Sequence, residues 1–446
     1  MLTVLKTIRS NSLFKDGETI GVAVSGGVDS MSLLNFLNEN KHKWNISLVA
    51  ITIDHKLRKN SSKDVEFVKN YCKQNNIKFN KFKLDVLKLS QTEKLTIEQA
   101  ARKARYGVFD SLIKKNIVDK VCLGHHISDQ AETVLLNLFR GSGLSGAKAM
   151  QVVNGKYIRP FLNTSKLEIE NYAKINNIGF VTDETNLENE FSRNYLRNKV
   201  MPLIKERFKG VENNLASFAK IAKADDDYIT NMMNIDAIIK EDYLVKVPVS
   251  YFLYPQPIVN RMLKHCFEYL GVSKDVERKH IEMIKAMVRD AVNGIKINLP
   301  NKVNVHKEYD YITIIAKAKK YGFEKQKLKS GTIEVKNFGK IKIKRTYDIN
   351  PQEKDHVVDI KKVPAKAKWR TRKEGDMFTK FGGGTKKLKD YLIDKKVPKR
   401  LRDAVPVLAY KNEIYIVADL DISQKAKVDE NTKSAYILKY DTKLNK

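Results

Sequence analysis

A glycine- and serine-rich hexapeptide, Ser-Gly-Gly-Val-Asp-Ser, occupies residues 25–30, between an apolar run and a segment with helical periodicity. At such a strand–turn–helix junction, backbone N–H groups and the positive end of the helix dipole can hold a phosphate group. Ser25 and Ser30 add hydroxyl donors, and Asp29 is suited to bind a Mg²⁺ ion that bridges phosphates. The lysine of a Walker A loop is missing, so the pattern indicates another class of phosphate loop. The structural alternative is a glycine turn in which Ser30 caps the helix.

Polar residues also follow two other apolar runs, as Asp54-His55 and as Gly124-His125-His126. In a doubly wound sheet the ligand crevice lies outside the carboxyl ends of the strands, so these residues and the phosphate loop are expected at one edge. The adjacent histidines could bind a metal ion or serve as hydrogen-bonded scaffold, and the sequence alone leaves both interpretations open.

Asp129 and Glu132 are three residues apart at the predicted start of a helix, so they share one helix face. Two carboxylates in this position could belong to an active site. They could also be structural, because Ser128 is a suitable N-cap and the helix dipole favours acids in the first turn. The sequence by itself supports the two interpretations equally.

The elements that must position these residues follow from periodicity. Strands are predicted at residues 19–25, 46–54, 78–85 and 120–125, and helices at 30–40, 62–75, 97–115 and 128–140. Further along, helices are predicted at 211–239, 256–270 and 387–395, strands within 295–315, and a lysine-rich linker at 316–330. The expected fold is a doubly wound parallel α/β domain at 1–210, a mainly helical middle domain at 211–320 and a small mixed α/β domain at 331–446.

The chain is strongly basic. Its 446 residues include 83 Lys and Arg against 52 Asp and Glu, a formal charge of +31, which favours a polyanionic partner. The alternative explanation is an AT-rich genome, which raises the lysine content of the proteins it encodes. Residues 361–400 alone carry 15 basic and 4 acidic side chains. Trp369, Phe378, Phe381 and Tyr391 are interleaved with them, a pattern that predicts either an RNA-binding surface or a solvated basic domain.

Cysteine usage and hydropathy limit the protein class. The three cysteines, Cys72, Cys122 and Cys266, are far apart and form no C-x-x-C pair, which argues against a disulfide framework or a local zinc site. No apolar run reaches the length of a membrane span, and the first residues lack a signal-peptide core. We therefore expect a cytoplasmic protein with no membrane partner.

Taken together, the motifs resemble the tRNA(Ile)-lysidine synthetase family of the PP-loop ATP pyrophosphatase superfamily. The hexapeptide at 25–30 is the superfamily signature. The more specific matches are Asp54-His55-Lys56-Leu57-Arg58, Ala101-Arg102…Arg105-Tyr106, Leu123-Gly124-His125-His126…Asp129-Gln130-Ala131-Glu132-Thr133, Arg140-Gly141-Ser142-Gly143-Leu144, Arg159-Pro160-Phe161-Leu162, Asp183…Asn186…Ser192-Arg193-Asn194-Tyr195-Leu196-Arg197…Pro202 and Gly375-Asp376 through Pro406-Val407. One departure is Ser128, which stands where the family usually has a second aspartate.

The resemblance implies an adenine nucleotide α-hydrolase-like PP-loop fold for the first domain and tRNA binding by the other two. It also implies a ligase that uses ATP and Mg²⁺ to attach L-lysine to C2 of the wobble cytidine of tRNA(Ile) with anticodon CAU. The cytidine is first adenylated, and the product, lysidine, changes the specificity of the tRNA from methionine to isoleucine. The oligomeric state stays open, with a homodimer as one alternative.

Site residues are carried over from the resemblance position by position. ATP binding is expected at Ser25, Gly26, Gly27, Val28, Asp29, Ser30 and Asp54, with Asp29 also as the Mg²⁺ ligand. Catalytic roles are expected for Asp29, Asp129, Glu132 and His125, and lysine binding for Asp129, Glu132 and Arg197. Contacts to tRNA are expected from Arg193, Lys386, Lys387 and Lys389.

Two other functions share part of this pattern. A tRNA thiolase of the same superfamily would have the ATP loop, but thiolation usually needs a catalytic cysteine, often paired, and the three cysteines fit no such pattern. A non-enzymatic RNA-binding protein would carry a degenerate loop, whereas residues 25–30, Asp129 and Glu132 are all intact.

Overall fold

The structure is a computed structural model that describes residues 1–54, 61–181, 192–317, 323–336, 339–349 and 356–442. His55, residues 56–58, Asp183, Asn186 and part of the predicted linker lie outside the described residues. The chain divides into two compact units, Met1–Tyr228 and Ile229–Lys446. In the ranges given above, no helix is both long and apolar enough to cross a membrane.

Unit 1 is an α/β domain. Its strands are β1 (Thr19–Ala23), β2 (Ser47–Asp54), β3 (Lys78–Lys83), β4 (Lys120–Cys122), β5 (Val153–Asn154) and β6 (Tyr157–Ile158). Its helices are α1 (Leu2–Ser10), α2 (Val28–Asn40), α3 (Ser61–Gln74), α4 (Val86–Glu93), α5 (Ile97–Lys114), α6 (Ile127–Phe139), α7 (Leu144–Ala147), α8 (Lys166–Ile175), α9 (Ser192–Tyr195), α10 (Met201–Arg207) and α11 (Val211–Asn231). A π-helical turn, Leu196–Val200, joins α9 to α10.

The described strands of unit 1 form one sheet in the order β3-β2-β1-β4-β6-β5. Pairing is parallel except between β5 and β6. The order reverses direction between β1 and β4, which places the switch point, and with it the expected ligand crevice, beside the end of β1. The predicted doubly wound parallel sheet is confirmed.

Both faces of this sheet are buried, which explains why its strands are apolar. In β2, Leu48 and Ala50 pack into the core under α1, α2, α3 and α8, while Val49 and Ile51 pack into the core under α5. Successive side chains of a strand point to opposite faces, so consecutive residues of β2 pack alternately into the two cores.

Helix and strand positions in this unit agree with the sequence prediction to within a few residues. The differences fall at the crevice: β1 ends at Ala23 rather than at residue 25, and β4 ends at Cys122 rather than at 125. Val24 and Leu123 still donate backbone hydrogen bonds to Ile51 and Ile158, so the sheet pairing stops just before Ser25 and Gly124. Sequence reasoning missed α1, α4, α8 and the β5–β6 hairpin.

Unit 2 contains an antiparallel sheet and a mixed α/β region. The first sheet, β7-β8-β11-β10-β9, is covered by α12 and α13. Its elements are β7 (Ile239–Glu241), β8 (Leu244–Pro248), α12 (Gln256–Tyr269), α13 (Arg278–Asp290), β9 (Lys296–Asn298), β10 (Asn304–Glu308) and β11 (Tyr311–Ile315). The helix predicted to run to residue 239 ends at Asn231, and β7 begins at Ile239.

The rest of unit 2 packs two further sheets around one core. Its strands are β12 (Gln326–Lys327), β13 (Gly331–Val335), β14 (Gly339–Thr346), β15 (His356–Asp359), β16 (Lys368–Thr371), β17 (Met377–Thr379), β18 (Thr385–Lys387), β19 (Pro406–Tyr410), β20 (Glu413–Val417), β21 (Asp421–Ile422) and β22 (Ala435–Thr442). Its helices are α14 (Leu388–Asp394) and α15 (Lys399–Arg402).

An ion pair joins the two parts of unit 2. Glu308, at the end of β10, is 7% exposed and accepts hydrogen bonds from Arg400 of α15, at 2.7 Å from Nε and 3.3 Å from Nη2. The neighbouring Tyr309 hydroxyl accepts one from Arg402 at 3.1 Å. These contacts connect β10 and the residue after it to α15, within unit 2.

Candidate active site

The phosphate loop lies between β1 and α2, and it is folded by its own hydroxyl groups. Ser30 Oγ accepts a hydrogen bond from the Ser25 N–H at 3.2 Å and donates one to the Gly27 carbonyl at 3.0 Å. Gly26 has φ +92°, a conformation that favours glycine. The N-cap of α2 is Gly27, without a side-chain cap, so Ser30 is not the cap. No N-cap side chain therefore takes up the N–H groups of the first turn of α2, which have no partner within the helix and can bind an anion.

The other predicted site residues reach the same edge. Asp54 is the buried last residue of β2, the neighbour of β1. Gly124 follows β4 and packs against the loop: a Cβ added there would lie 3.4 Å from the Asp29 carbonyl carbon. The turn after β4 can therefore place His125 and His126 directly beside the loop.

Asp29 is already paired with a cation. Lys166 Nζ, from the first residue of α8, lies 2.6 Å from Asp29 Oδ1 and 2.8 Å from Oδ2. Among the described residues, no three His, Cys, Asp or Glu side chains converge in a way that could hold a metal ion. The histidine pair thus provides no metal site together with described neighbours.

Asp129 and Glu132 form an ion cluster with two arginines. Arg197 donates to Asp129 Oδ1 at 2.7 Å and to both Glu132 oxygens at 2.7 and 2.8 Å. Arg193 donates to Asp129 Oδ1 at 3.2 Å and to Glu132 Oε2 at 3.0 Å. The two acids are 8% and 2% exposed. Burying two carboxylates costs free energy unless cations compensate, and the arginines provide that compensation.

Asp129 also has a structural role, because it helps to cap the start of α6. Its Oδ2 accepts the N–H of His126, the N-cap of α6, at 3.0 Å, while His126 Nδ1 accepts the Ser128 N–H at 3.3 Å. Burial alone would raise the pKa of Asp129, but His126 and the two guanidinium groups outweigh burial and hold it below its usual value. Asp129 is therefore ionised, with one oxygen on the cap and the other on the arginines.

The two arginines lie on a helical segment that contains a π-helical turn. Arg193 lies in α9 and Arg197 in the π-helical turn, and both reach the start of α6. Helices of the π type are rare and are often found at functional sites. The sequence analysis grouped Arg197 with the acids but assigned Arg193 to tRNA. In the structure, both belong to the same cluster.

His126 connects the acid cluster to the phosphate loop. Its Nε2 atom lies 3.4 Å from Asp129 Oδ2 and 3.9 Å from Asp29 Oδ2. Because Nδ1 accepts a hydrogen bond from Ser128, the proton of a neutral His126 is on Nε2, between the two carboxylates. The sequence analysis chose His125 and missed the bridging position of His126.

His125 is held in one tautomer. Arg159 Nε donates to its Nδ1 at 3.3 Å, and Arg159 Nη1 donates to the Gln151 carbonyl at 2.9 Å. Burial lowers the pKa of His125 to about 3, so the ring is neutral near pH 7 and carries its proton on Nε2. His125 is therefore suited to donate a hydrogen bond rather than to supply positive charge.

Arg105 of α5 is half-buried, and its buried Nε atom is an unused hydrogen-bond donor. Its Nε atom has no hydrogen-bond partner among the described residues. Burial lowers its pKa, and the charges of Arg102 and Arg193 lower it further. A buried donor without a partner costs free energy, so this group is suited to receive an anion.

Comparison with known proteins agrees with the fold and the loop. Residues 3–204 match the PP-loop domain family, and residues 367–438 match the TilS substrate C-terminal domain family. Unit 1 is thus a PP-loop ATP-binding domain. A tRNA(Ile)-lysidine synthase of Clostridium tetani is 33% identical, covering 98% of this chain and 97% of the relative.

A second tRNA(Ile)-lysidine synthase, from Caldanaerobacter subterraneus subsp. tengcongensis, is also 33% identical, over 98% of this chain and 97% of the relative. A solved structure described as the TilS C-terminal domain is 25% identical and covers 27% of this chain and 97% of that chain, with a TM-score of 0.25. The chain belongs to the tRNA(Ile)-lysidine synthase family, as the sequence motifs predicted.

Proposed function

We propose that this chain attaches lysine to C2 of the wobble cytidine of tRNA(Ile) with anticodon CAU, using ATP and forming lysidine. In the first step the cytosine O2 atom attacks the α-phosphate of ATP and pyrophosphate leaves. In the second step the lysine ε-amine attacks C2, and AMP leaves with the O2 atom. The observation that carries this proposal is the position of His126, within 4 Å of both the phosphate loop and the acid cluster.

The phosphate loop is proposed to bind ATP. The N–H groups of residues 26–30 would hold the phosphates, and the hydroxyls of Ser25 and Ser30 would donate to them once Ser30 exchanges its bond to the Gly27 carbonyl for a phosphate oxygen. Asp54 lies at the neighbouring strand end. Mg²⁺ bound with ATP takes most of its ligands from phosphate and water and needs only one or two protein carboxylates. Asp29 fits that requirement, and the ion would neutralise charge on the phosphates.

The acid cluster is proposed to bind the substrate lysine. The ε-ammonium group has a pKa near ~10.4, so it must lose a proton before it attacks C2. The Asp129 carboxylate is an acceptor for that ammonium, because His126 and the two arginines hold its pKa below the usual value. The Glu132 carboxyl group lies in the same cluster, where it accepts hydrogen bonds from Arg197 and Arg193. Arg105 has the free donor that an α-carboxylate requires. His125, as a neutral donor, would bind the polarised base or phosphate oxygen.

The basic C-terminal region is proposed to bind tRNA, but through fewer groups than the sequence indicated. Trp369, Phe378 and Tyr391 are completely buried in the core and cannot stack on RNA, whereas Phe381 is 47% exposed. Lys386 forms an ion pair with Asp394. Lys387 and Lys389 are exposed, and no described residue forms an ion pair with either, so they can bind phosphates directly.

Charge reversal tests this surface. The double variant Lys387→Glu/Lys389→Glu should weaken tRNA binding, and the slope of log Kd against log salt should decrease by about one per lost phosphate contact. Lys342→Glu/Lys344→Glu, on exposed positions of β14, changes the net charge equally and serves as the control. If the two double variants weaken tRNA binding equally, the effect comes from net charge alone, and Lys387 and Lys389 have no specific role in tRNA binding.

The thiolase alternative loses support from the cysteines. All three are buried, and burial raises the pKa of Cys72 to about 11 and that of Cys266 to about 12, and raises that of Cys122 as well. Thiols in this state are poor nucleophiles. Buried free thiols also suit a reducing compartment, so we place the reaction in the cytoplasm.

The proposed function is tested by product analysis. The full chain is incubated with ATP, Mg²⁺ and tRNA(Ile) carrying the CAU anticodon, with and without lysine. We expect tRNA-dependent pyrophosphate release under both conditions and lysidine only when lysine is present. A tRNA with uridine at the wobble position is the control. Pyrophosphate release without tRNA, or a product containing no lysine, would contradict the proposal.

A further inference from the structure

The nucleotide loop lacks a lysine of its own, but the fold brings one to it. Lys166 is 137 residues away from Asp29 in sequence, and its ammonium group binds both oxygens of the Asp29 carboxylate. Ser165 caps α8 by accepting the Glu168 N–H at 3.1 Å, which fixes Lys166 as the first helical residue. The cation is therefore held at the loop by a defined backbone position.

Stability alone does not account for this ion pair. Helices α2 and α8 are already joined by a shared apolar core that includes Leu33, Ile169 and Ala173. The side chains of Lys166 and Asp29 remain 35% and 29% exposed, and ion pairs this open contribute little to folding. The pair thus leaves a solvent-accessible ammonium group beside the predicted phosphate position, on a flexible four-carbon stem.

We propose that Lys166 is the phosphate-binding cation of the nucleotide site, supplying from α8 the positive charge that a Walker A loop carries within itself. This inference rests on the proposed function in taking ATP as the ligand. In the free chain Lys166 neutralises Asp29. When ATP binds with Mg²⁺, the Asp29 carboxylate would bind the metal ion. The ammonium group of Lys166 then moves from Asp29 to the pyrophosphate moiety of ATP.

The role of Lys166 is confined to the first step. The bond between cytosine O2 and the α-phosphorus forms, and the bond from that phosphorus to the bridging oxygen breaks. Negative charge then develops on the leaving pyrophosphate, where an ammonium donor stabilises it. Lys166 keeps its proton throughout. AMP has no pyrophosphate moiety, so its binding does not depend on this lysine.

The test compares ligands on the full chain. Calorimetry with Mg²⁺ measures binding of ATP, inorganic pyrophosphate and AMP to the wild type, to Lys166→Met and to Lys166→Arg. We expect the methionine variant to lose about tenfold or more in affinity for ATP and pyrophosphate, with AMP affinity unchanged, and the arginine variant to retain most of it. Lys174→Met, in the last turn of the same helix, is the matched control.

The outcomes separate this inference from the proposed function. Equal loss of ATP and AMP affinity in Lys166→Met, or no loss of either, overturns the role of Lys166, whether or not the wild type makes lysidine. Selective loss of ATP and pyrophosphate affinity supports the role of Lys166 even if the wild type makes no lysidine, in which case only the proposed function fails.

Discussion

Asp129→Asn is expected to raise the KM for lysine, or to lower kcat, by about a hundredfold or more, while pyrophosphate release continues. Removing one partner of a buried, hydrogen-bonded charge pair typically costs about 2–5 kcal/mol. The asparagine oxygen still accepts the His126 N–H, so the helix cap is kept and only the charge facing the arginines is lost. Glu132→Gln is expected to act in the same direction, because Glu132 is 2% exposed and binds both arginines.

The cap-and-dipole interpretation makes a different prediction for these variants. It expects unchanged lysine kinetics and a stability loss of only about 0.3–1 kcal/mol. Steady-state kinetics over lysine concentration, together with urea unfolding, distinguish the two. Asp390→Asn, an exposed first-turn acid of α14, is the control for the dipole effect. Lysine kinetics in Asp129→Asn that match those of the control would decide for a purely structural role.

Asp29→Asn is expected to lower the rate of tRNA adenylation by about a thousandfold or more, which corresponds to about 4 kcal/mol in the transition state. Asparagine has nearly the same shape but carries no charge to hold a metal ion on the phosphates. In the wild type the ion pair between Asp29 and Lys166 is partly exposed, so its loss should change the stability of the fold by less than about 1 kcal/mol.

Rapid-quench measurement of pyrophosphate release, with tRNA affinity and the unfolding midpoint measured in parallel, checks this expectation. Asp16→Asn, an exposed acid in the loop before β1, is the control. Adenylation at the wild-type rate in Asp29→Asn would remove Asp29 from the nucleotide site.

The sequence predicted what is encoded locally. The strand, the glycine turn and the helix around residues 25–30 are adjacent in the chain, so their spacing alone defines the phosphate loop. The individual side-chain contacts of Lys166 and Arg159 with residues far away in the chain were not predicted. Lys166 reaches Asp29 because α8 packs against α2, and Arg159 reaches His125 because β6 pairs with β4.

The aromatic residues of the C-terminal region show a second limit. Trp369 and Phe378 are buried within β16 and β17, although Lys368 beside Trp369 is exposed and both neighbours of Phe378 are half-buried. Period-two alternation in the sequence reports that a strand is half buried, and it does not tell which residue type faces a partner. Arg197 of the π-helical turn shows the same limit, since regular helical spacing does not give the direction of its side chain.

The ion pair between Glu308 and Arg400 has a consequence for chimeric proteins. Exchanging residues 331–446 with those of a relative would leave Glu308 buried and, if the new segment lacks the arginine, without its guanidinium partner. A buried carboxylate without its cationic partner is destabilising, so the sheet that contains β10 would lose stability. The segment to transplant between relatives therefore begins after α11, at residue 232, and runs to residue 446, so that it carries both members of the pair.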